Sequence, residues 1–298
     1  MNTAEKLNSQ ASLLELITGY REFNEAETSS LQIVVKGVQI DSRLLQQGDL
    51  FLACFGQNHD ARNYIGQAIE SRCCAVLAES GGDWQGIQYR DGVPIIAIDN
   101  LFAKISEISA RFFGHPSKKL NVIGITGTNG KTSCSQFLAQ TLTTLGYKCG
   151  VIGTLGYGIC GELQETQLTT PDAVFTQMAL AEMHCEGIDP VAMEVSSVGL
   201  HQKRVRSVQF DTAIFTNLTR DHLDYHETME AYGENKKKLF TMPGLKAAIV
   251  NLDDPFALSI INGVSAEVEI LTYALENKIA SVFAESLELT RSGFKAII

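Results

Sequence analysis

A glycine-rich turn between a hydrophobic run and a helical stretch constrains the fold of this chain more than any other feature. The segment Val122–Ser133 reads VIGITGTNGKTS, so a β-branched strand leads through glycines into a helix. Gly127 and Gly130 let the backbone curl around phosphate oxygens, which the backbone N–H groups and the helix N-terminus attract. Lys131 adds a full positive charge, and Thr132 offers a hydroxyl to Mg²⁺. The segment therefore predicts a phosphate-binding loop in an α/β domain.

The loop departs at one position from the pattern G-x-x-x-x-G-K-[ST]. That pattern would place glycine at position 125, where this chain has Ile125. Because strand, loop and helix follow one another in the required order, a variant loop explains the segment better than a chance glycine-rich turn. ATP or another nucleoside triphosphate is the predicted ligand. The residues predicted to bind it are Gly127, Thr128, Asn129, Gly130, Lys131, Thr132 and Ser133.

The length of the chain and a change in its pattern of apolar segments predict two domains. At 298 residues the chain exceeds the size of about 250 residues beyond which single hydrophobic cores seldom grow. Residues 1–99 alternate short apolar runs with polar turns, which predicts a small mixed α/β domain. Residues 100–298 alternate β-branched strands with longer helices, which predicts a P-loop domain with a doubly wound, mostly parallel sheet. The segment Glu288–Ile298 indicates a hairpin that stops inside its second strand, so we expect this domain to be incomplete at its C-terminus.

Individual elements are predicted from the apolar periodicity. In the first domain the apolar runs are Ile33–Val35, Asp49–Phe55, Cys74–Ala78 and Pro94–Ile98, with a helix at Ala61–Ser71 and another at Leu101–Phe113 near the boundary. In the second domain the predicted strands are Val122–Thr126, Cys149–Ile152, Val191–Val195, Phe210–Thr216, Ala247–Asn251 and Ile270–Tyr273. The predicted helices there are Lys131–Leu145, Pro171–Cys185 and Met229–Phe240.

Charge and cysteine usage argue against several classes of protein. The net charge of −10 at pH 7 leaves little attraction for a nucleic acid, and no stripe of Lys and Arg offsets it. The seven cysteines are scattered, with no C-x-x-C pair, which is typical of free thiols in a reducing compartment. The N-terminus lacks an apolar signal core, and no window approaches the roughly 18 apolar residues of a spanning helix. We therefore predict a cytoplasmic protein that binds neither nucleic acid nor membrane.

Polar residues follow several of the predicted strands, at the end of the sheet where ligands bind in doubly wound folds. Glu194 is placed to hold Mg²⁺, since hard cations prefer oxygen ligands, although a salt-bridged surface glutamate explains it equally well. His222 and His226 have the spacing of half a zinc site, but no third ligand stands at metal spacing. We therefore expect one histidine to assist Mg²⁺ and the other to cap or pack.

Together, these segments resemble the motifs of the Mur ligase family. The motifs are Gly127-Thr-Asn-Gly-Lys-Thr132, Glu194-Val-Ser-Ser197, Asn217-Leu-Thr-Arg-Asp-His-Leu-Asp-Tyr-His226 and Asn251-Leu-Asp-Asp254, in this order and at matching separations. In the first domain, Asp41-Ser-Arg43 and Gly48-Asp-Leu-Phe51 look like the uridine-nucleotide domain of that family. The likeness covers essentially the whole chain. It is closest to the members that add the third amino acid of the peptide.

The resemblance implies an ATP-dependent amide ligase of peptidoglycan precursor synthesis. In the family, ATP phosphorylates the free carboxylate of the D-glutamate in UDP-N-acetylmuramoyl-L-alanyl-D-glutamate, and an incoming amine attacks the acyl phosphate. A carboxylate becomes electrophilic only when one oxygen leaves as phosphate, and a lysine and Mg²⁺ must screen the two anions that meet. The implied cofactors are ATP and Mg²⁺, and the implied partners are this UDP-sugar peptide and an amino acid. Diaminopimelate is expected over lysine because its use is commoner in bacteria, and a monomer is expected.

The resemblance also implies roles for individual residues. Lys131, Lys236 and His222 are the implied catalytic residues, and Thr132, Glu194, His222 and Lys236 are the implied metal ligands. The implied substrate-binding residues are Ile40, Ser42, Gln57, Asn58 and His59 in the first domain, and Thr169, Thr170, Ser196, Gln202 and Arg204 in the second.

Lys236 is implied to be the lysine that family members carry as a carbamate, whose carboxylate serves a second Mg²⁺. The adjacent Lys237 and Lys238 leave the register open by one or two residues. Carbamylation requires a neutral amine, so the modified lysine should be at least partly buried. An unmodified surface lysine is the alternative.

The chain departs from the family in two respects. Val198 stands where close relatives often show histidine. We also expect the last part of the family's central domain and its whole C-terminal domain to be missing, so this chain by itself is not expected to complete ligation.

Two other functions are alternative interpretations of the sequence. A P-loop small-molecule kinase or a GTPase predicts an N-K-x-D or D-x-x-G segment, and Asn251–Asp254 is not the former. A non-catalytic fragment that binds the UDP-muramoyl peptide would be marked by loss of Lys131, Glu194 or His222, and all three are present.

Overall fold

The computed structural model describes residues 7, 9–56, 59–290 and 293–298. The chain divides into two units, one formed by Met1–Pro116 with Ala173–Cys185 and the other by Ser117–Asp172 with Glu186–Ile298. Units defined by their contacts need not coincide with domains that fold by themselves. The predicted boundary between residues 99 and 100 therefore stays a prediction.

The described residues form eighteen strands and ten α-helices. The strands are β1 Ala11–Ser12, β2 Val34–Val35, β3 Gly37–Gln39, β4 Asp49–Ala53, β5 Ala75–Glu79, β6 Ile87–Arg90, β7 Val93–Ile98, β8 Val122–Thr126, β9 Gly150–Gly153, β10 Gly156–Ile159, β11 Glu162–Gln164, β12 Val191–Glu194, β13 Thr212–Phe215, β14 Ala247–Asn251, β15 Glu269–Ala274, β16 Val282–Phe283, β17 Ser286–Thr290 and β18 Gly293–Ile297. The α-helices are α1 Leu13–Ile17, α2 Glu25–Ser30, α3 Ile65–Glu70, α4 Ile105–Phe112, α5 Lys131–Thr144, α6 Ala173–Cys185, α7 Ser197–His201, α8 Leu223–His226, α9 Met229–Lys237 and α10 Ala257–Ile261.

The first unit is built on a five-stranded sheet with the order β3-β4-β5-β7-β6, in which β6 alone runs antiparallel to its neighbour. Successive side chains of β4 point to opposite faces, as a strand requires. Leu50 and Leu52 enter a core that includes residues of α1 and α4, whereas Phe51 packs with Ile65 of α3 on the other face. Both faces are therefore covered, and the predicted mixed α/β fold is confirmed.

The second unit is built on a nine-stranded sheet with the order β11-β10-β9-β12-β8-β13-β14-β15-β16. The strands from β9 to β16 in this order are parallel, and β10 and β11 run antiparallel at one edge. All six predicted strands are present with bounds that differ by at most two residues. The predicted mostly parallel sheet is confirmed, and β17 and β18 form the hairpin predicted near Ile298.

Several element predictions were wrong in detail. Helix α9 ends at Lys237 and continues as a 3-10 helix over Lys238–Thr241, so the predicted α-helix Met229–Phe240 is too long. Helix α6 begins at Ala173 rather than at Pro171. The edge strands β10 and β11 were not predicted, because the glycines of β10 weaken the alternation that marks a strand and β11 has only three residues.

The register of the sheet brings the carboxyl ends of four neighbouring strands together. Glu194 at the end of β12 pairs with Ile125 of β8, and Phe215 at the end of β13 pairs with Thr126. On the other side of β12, Met193 pairs with Ile152 of β9. The segments that follow β9, β12, β8 and β13 therefore emerge side by side, where ligands bind in open parallel sheets.

Within the described residues, the helices are too short or too polar to cross a lipid bilayer. The cytoplasmic location stays a prediction.

Candidate active site

The phosphate loop is held in place by the segment that follows β13. The backbone N–H of Thr128 donates to the carbonyl of Asn217 at 2.8 Å, and the N–H of Asn129 donates to Asn217 Oδ1 at 3.0 Å. Thr216 Oγ1 donates to the carbonyl of Asn129 at 2.7 Å. The loop that Gly127 opens is therefore anchored by Thr216 and Asn217, which follow β13.

Two glycines give the loop its shape. Gly127 has a φ of +151°, and a Cβ built on it would lie 1.8 Å from Thr216 Oγ1, so a side chain fits neither the backbone nor the space. Gly130 has a φ of +86° and precedes the first residue of α5. The sequence prediction of a tight, glycine-dependent turn into a helix matches this geometry.

Lys131 folds back over the loop that precedes it. Its Nζ donates to the carbonyls of Gly127 and Thr128 at 2.8 and 2.9 Å. Burial lowers the pKa of Lys131, and the negative charges of Glu194 and Asp221 oppose that shift. The ammonium group is thus held at the loop by neutral carbonyl acceptors.

Glu194 is fully buried at the end of β12. Its Oε2 accepts from Thr132 Oγ1 at 2.8 Å and from Thr154 Oγ1 at 3.1 Å, and its Oε1 accepts from the Thr154 N–H at 2.9 Å. A salt-bridged surface glutamate, the alternative that the sequence left open, is therefore wrong, because the side chain does not reach the surface. The carboxylate is instead presented to the first turn of α5.

Lys236 is buried beside the loop, with 1% of its surface exposed. Its Nζ donates to the carbonyl of Gly127 at 2.8 Å and lies 4.3 Å from the centre of the Tyr232 ring. Burial, followed by the positive charge of Lys131, lowers the pKa of Lys236 to about 7. An amine in this position carries a substantial neutral fraction at neutral pH.

The two adjacent lysines have other partners. Lys237 Nζ lies 3.3 Å from Ser259 Oγ and 3.7 Å from Glu234 Oε1. Lys238 Nζ donates to Asn235 Oδ1 at 2.6 Å. Their side chains point away from the loop that Lys236 contacts.

His222 and His226 occupy different surroundings. His222 is half exposed, has a φ of +50°, and its Nε2 lies 3.6 Å from Asp221 Oδ2. His226 is buried, with Nε2 3.0 Å from Ser197 Oγ and Nδ1 3.3 Å from Asn235 Nδ2. A left-handed backbone at a residue other than glycine is uncommon and concentrates at functional sites, which singles out His222 of the two.

The predicted substrate residues of the second unit form two hydrogen-bonded groups. Thr169 Oγ1 lies 3.0 Å from Thr154 Oγ1, while Thr170 Oγ1 donates to the carbonyl of Glu194 at 3.0 Å and accepts from the Ser196 N–H at 2.9 Å. Ser196 caps α7 by accepting from the N–H of Gly199 at 3.0 Å. This group therefore joins β12 to the segment before α6.

Arg204 and Gln202 form the second group. Gln202 Oε1 accepts from Arg204 Nε at 2.9 Å and also from Arg204 Nη2. Arg204 Nη1 donates to the carbonyl of Thr170 at 2.6 Å, which links the two groups. Burial lowers the pKa of Arg204, and the negative charge of Asp172 opposes that shift. The guanidinium is thus oriented by three contacts.

The predicted substrate residues of the first unit line a cavity of about 620 Å³. Ile40, Ser42 and His59 belong to its lining, and Gln57 and Asn58 lie outside the described residues. Ser42 Oγ donates to Gln67 Oε1 at 3.0 Å. The lining also includes Arg43, so the cavity combines a hydroxyl, an amide and a cation.

Sequence reasoning missed Thr154 and Tyr225. Thr154 directly follows β9, so the rule that selected Glu194 at the end of β12 would have selected it as well. Tyr225 contacts Gln202 and His201, and nothing in its own sequence position signals these contacts, which depend on how α7 and α8 pack.

Comparison with known proteins identifies the family. The family model described as the Mur ligase middle domain matches residues 125–298. The chain belongs to the Mur ligase family. The region matched contains β12, β13 and residues 127–133 of the phosphate loop, so the site geometry of the second unit lies within a Mur ligase middle domain.

Two relatives of this chain carry the same name. A protein of Coxiella burnetii named UDP-N-acetylmuramoyl-L-alanyl-D-glutamate–2,6-diaminopimelate ligase is 46% identical over 275 residues, which are 91% of this chain and 55% of the relative. A protein of the same name from Chromobacterium violaceum is 46% identical over 267 residues, covering 87% of this chain and 53% of the relative. The chain thus spans about half the length of the curated relatives it matches.

Solved structures agree with this fold. A structure titled UDP-N-acetylmuramoyl-L-alanyl-D-glutamate–2,6-diaminopimelate ligase has a TM-score of 0.79 and 28% identity, and the match covers 97% of this chain and 59% of that one. A crystal structure of MurF from Acinetobacter baumannii has a TM-score of 0.63 at 20% identity, covering 99% and 59% of the two chains, and shows the shared fold. These matches do not favour a P-loop kinase or a non-catalytic binding protein.

Proposed function

We propose that this chain forms the nucleotide-binding and UDP-sugar-binding part of an ATP-dependent amide ligase that attaches diaminopimelate to UDP-N-acetylmuramoyl-L-alanyl-D-glutamate. The observation that carries the proposal is the buried contact of 2.8 Å between Glu194 Oε2 and Thr132 Oγ1, because it sets a carboxylate against the hydroxyl that follows the phosphate loop. The substrates are taken from the names of the relatives in Coxiella burnetii and Chromobacterium violaceum. Those relatives are longer than this chain, so the ligation as a whole belongs to the proposal.

The residues around the loop fit a magnesium nucleotide. Glu194 offers carboxylate oxygens and Thr132 a hydroxyl, the hard oxygen donors that Mg²⁺ prefers. Among the described residues, no three His, Cys, Asp or Glu side chains gather into a metal site of their own. Mg²⁺ commonly keeps waters and shares phosphate oxygens, so one or two protein ligands suffice. We assign Thr132 and Glu194 to this ion, with His222 as a further ligand.

Lys131 is assigned to the terminal phosphates of the nucleotide. Its Nζ now donates to two neutral carbonyls of the loop. Turning the same group to phosphate oxygens replaces neutral acceptors by anionic ones, which form shorter and stronger hydrogen bonds. Phosphate would also favour the charged form of an amine whose pKa burial lowers.

Lys236 is assigned as the carbamylated lysine. Its burial and its contact with the carbonyl of Gly127 support this choice over Lys237 and Lys238, whose amines bond elsewhere. The neutral amine adds to the carbon of CO₂ and one N–H proton leaves, so the product is a carbamate with one negative charge. A carboxylate beside the loop would then serve a second Mg²⁺.

The UDP-sugar peptide is assigned to two sets of residues. Ile40, Ser42 and His59 line the cavity of the first unit and suit the uridine nucleotide, since hydroxyl and amide groups can pair with the base and ribose. Gln57 and Asn58 keep the same assignment as a prediction. In the second unit, Thr169, Thr170, Ser196, Gln202 and Arg204 are assigned to the muramoyl peptide, with Arg204 as the cation for its carboxylate.

The chain's own residues would bind and orient the reacting groups. ATP and Mg²⁺, when bound, supply the phosphoryl group and offset the charge of two anions that must meet. Lys131 holds the phosphates at the loop, and Arg204 holds a carboxylate of the peptide in place. Preorganised cations in a buried site cost little reorganisation at the moment of reaction, which is why their positions matter.

Calorimetric titration of the whole chain with UDP-N-acetylmuramoyl-L-alanyl-D-glutamate tests the substrate assignment. We expect selective binding, with free UDP and an unrelated UDP-sugar as weaker ligands. Arg204→Ala should weaken the binding of the UDP-sugar peptide and leave the binding of free UDP unchanged, because Arg204 is assigned to the peptide and not to the nucleotide. Arg206→Ala is the matched control. Equal affinity for all three ligands would refute the substrate, while ATP binding could still stand.

A second titration tests the nucleotide assignment separately. We expect ATP to bind in the presence of Mg²⁺ and Lys131→Ala to abolish most of that binding. The control variant is Lys203→Ala, since Lys203 follows the C-cap of α7 and lies outside the loop. Unchanged ATP binding by Lys131→Ala would refute the phosphate-loop assignment.

A further inference from the structure

Tyr225 connects the residues assigned to the muramoyl peptide to a histidine at the end of α7. Its Oη lies 3.2 Å from Gln202 Nε2 and 2.9 Å from His201 Nδ1. Gln202 in turn accepts two hydrogen bonds from Arg204 through its Oε1. The side chains of His201, Tyr225, Gln202 and Arg204 therefore form one hydrogen-bond network, which ends on the guanidinium of Arg204.

The direction of the bonds that Gln202 makes follows from Arg204. A guanidinium has only donors, so the atom of Gln202 that faces Arg204 must be the oxygen Oε1. The amide nitrogen Nε2 then faces Tyr225, whose oxygen must accept from it. Tyr225 also contacts His201 Nδ1, and the tautomer of the histidine sets which of the two atoms donates.

Reversal of the Gln202 amide is the failure that this network prevents. A reversed amide would point its NH₂ group at Arg204, and two donors would then face each other. Removing the acceptor at Tyr225 leaves Nε2 without its partner in the network, so that only Arg204 then holds the amide in this orientation. The orientation of Arg204 therefore depends on an oxygen that it does not itself contact.

We propose that Tyr225 is a positioning residue for Gln202 and Arg204, and that its hydroxyl sets the guanidinium for the anionic group of the peptide ligand. The assignment of that ligand rests on the proposed function. The contacts with Gln202 and Thr170 use three of the five N–H donors of the guanidinium, and the other two are assigned to the ligand.

Tyr225→Phe separates this role from a structural one. The ring of Tyr225 packs edge-on against His201 and His226, with centroid distances of 5.4 and 4.8 Å. Phenylalanine keeps that packing and removes only the hydroxyl. We therefore expect the thermal midpoint of the variant to stay near that of the wild type.

The first measurement needs no ligand. In ¹⁵N-labelled whole chain, the Nε–H of Arg204 should exchange with water more slowly than that of an exposed arginine, because Gln202 holds it. Tyr225→Phe should speed that exchange several-fold, and Tyr147→Phe, which changes an exposed tyrosine, should not. Unchanged exchange at Arg204 in Tyr225→Phe would overturn the proposal.

The second measurement is a double-mutant cycle on the dissociation constant for UDP-N-acetylmuramoyl-L-alanyl-D-glutamate. Loss of the hydrogen bond between Tyr225 and Gln202 should weaken binding about five- to tenfold in Tyr225→Phe. Gln202→Ala should weaken it at least as much, and adding Tyr225→Phe to Gln202→Ala should change little further, because the residue to be positioned is already gone. Independent effects that multiply would overturn the proposal.

The two measurements distinguish failure of this proposal from failure of the proposed function. If the wild-type chain does not bind the UDP-sugar peptide, the proposed function is refuted, and Arg204 then has no such ligand to bind. Wild-type binding that Gln202→Ala weakens and Tyr225→Phe does not would refute the role of Tyr225 alone.

Discussion

Lys131 Nζ and Lys236 Nζ both donate to the carbonyl oxygen of Gly127, each at 2.8 Å. One lysine begins α5 and the other lies in α9, so a single loop carbonyl joins the cations of two helices. Burial, followed by the like charge of Lys131, lowers the pKa of Lys236 to about 7. Conversion of Lys236 to a carbamate would turn this repulsive pair into an attractive one.

The carbamate can be observed directly. We expect the wild-type chain in ¹³C-bicarbonate to show a carbamate carbonyl signal in its ¹³C spectrum, and Lys236→Arg to lose it, because a guanidinium stays charged and cannot add to CO₂. Lys237→Arg makes the same change one residue away and should keep the signal. A signal that survives Lys236→Arg and disappears in Lys237→Arg or Lys238→Arg would show that the register is wrong.

Glu194 should make nucleotide binding depend on Mg²⁺. We expect Mg²⁺ to strengthen ATP binding by the wild-type chain by about tenfold or more, a contribution of roughly 1.5–3 kcal/mol that is ordinary for contacts of charged groups. Glu194→Gln keeps the shape of the side chain and removes its charge, so most of the Mg²⁺ effect should vanish. Calorimetry with and without Mg²⁺ measures this. Glu186→Gln, at an exposed position, serves as the control, and an undiminished Mg²⁺ effect in Glu194→Gln would contradict the assignment.

The position of Glu194 near the phosphate loop could be predicted from the sequence, because the ends of apolar strands can be recognised there. Glu194 ends a continuous apolar run, and parallel sheets gather such ends at one edge, so its place near the loop followed from the pattern. Its burial did not follow, because Thr132 and Thr154 cover it from separate elements. A pattern along one strand does not show what packs against the strand's last residue.

Other features depend on contacts between distant parts of the chain. Three consecutive lysines from Lys236 to Lys238 look alike in sequence, and only the packing of α9 distinguishes the buried one. Tyr225 and Gln202 meet because α7 and α8 pack together, which no local pattern predicts. The antiparallel edge strand β10 was missed because glycines interrupt its alternation, and β11 is only three residues long.

Thr154 should support both the metal and the substrate residues. Its hydroxyl donates to Glu194 Oε2, so the hydroxyl of Thr169 must donate to Thr154. Thr154→Val keeps the volume of the side chain and breaks both bonds. We expect Mg²⁺-ATP binding to weaken about fivefold, as the loss of about 1 kcal/mol predicts, with little change in the thermal midpoint.

The control for this change is Thr144→Val at an exposed position of α5. Calorimetry of both variants with Mg²⁺-ATP provides the comparison. Wild-type affinity in Thr154→Val would mean that Glu194 is held sufficiently by Thr132 and by the backbone N–H of residue 154.

Acid should destabilise the second unit through His226. Burial, followed by the neighbouring charges of His201, His222 and lysines, lowers the pKa of His226 below its usual value of 6.5. The unfolded chain therefore takes up a proton at a higher pH than the folded chain does. The stability from the neutral, buried ring is fully present above pH 6.5 and is lost as the pH falls from there through the lower pKa of the folded state.

Thermal melts between pH 8 and pH 5 test this effect. The wild-type midpoint should fall below about pH 6.5, and the fall should be smaller in His226→Gln, which cannot be protonated. It should not vanish, because burial also lowers the pKa of His201. His184→Gln, at an exposed position of α6, should follow the wild type. If the midpoint falls equally in His226→Gln and in the wild type, protonation of His226 does not cause the fall, and other groups account for the acid sensitivity.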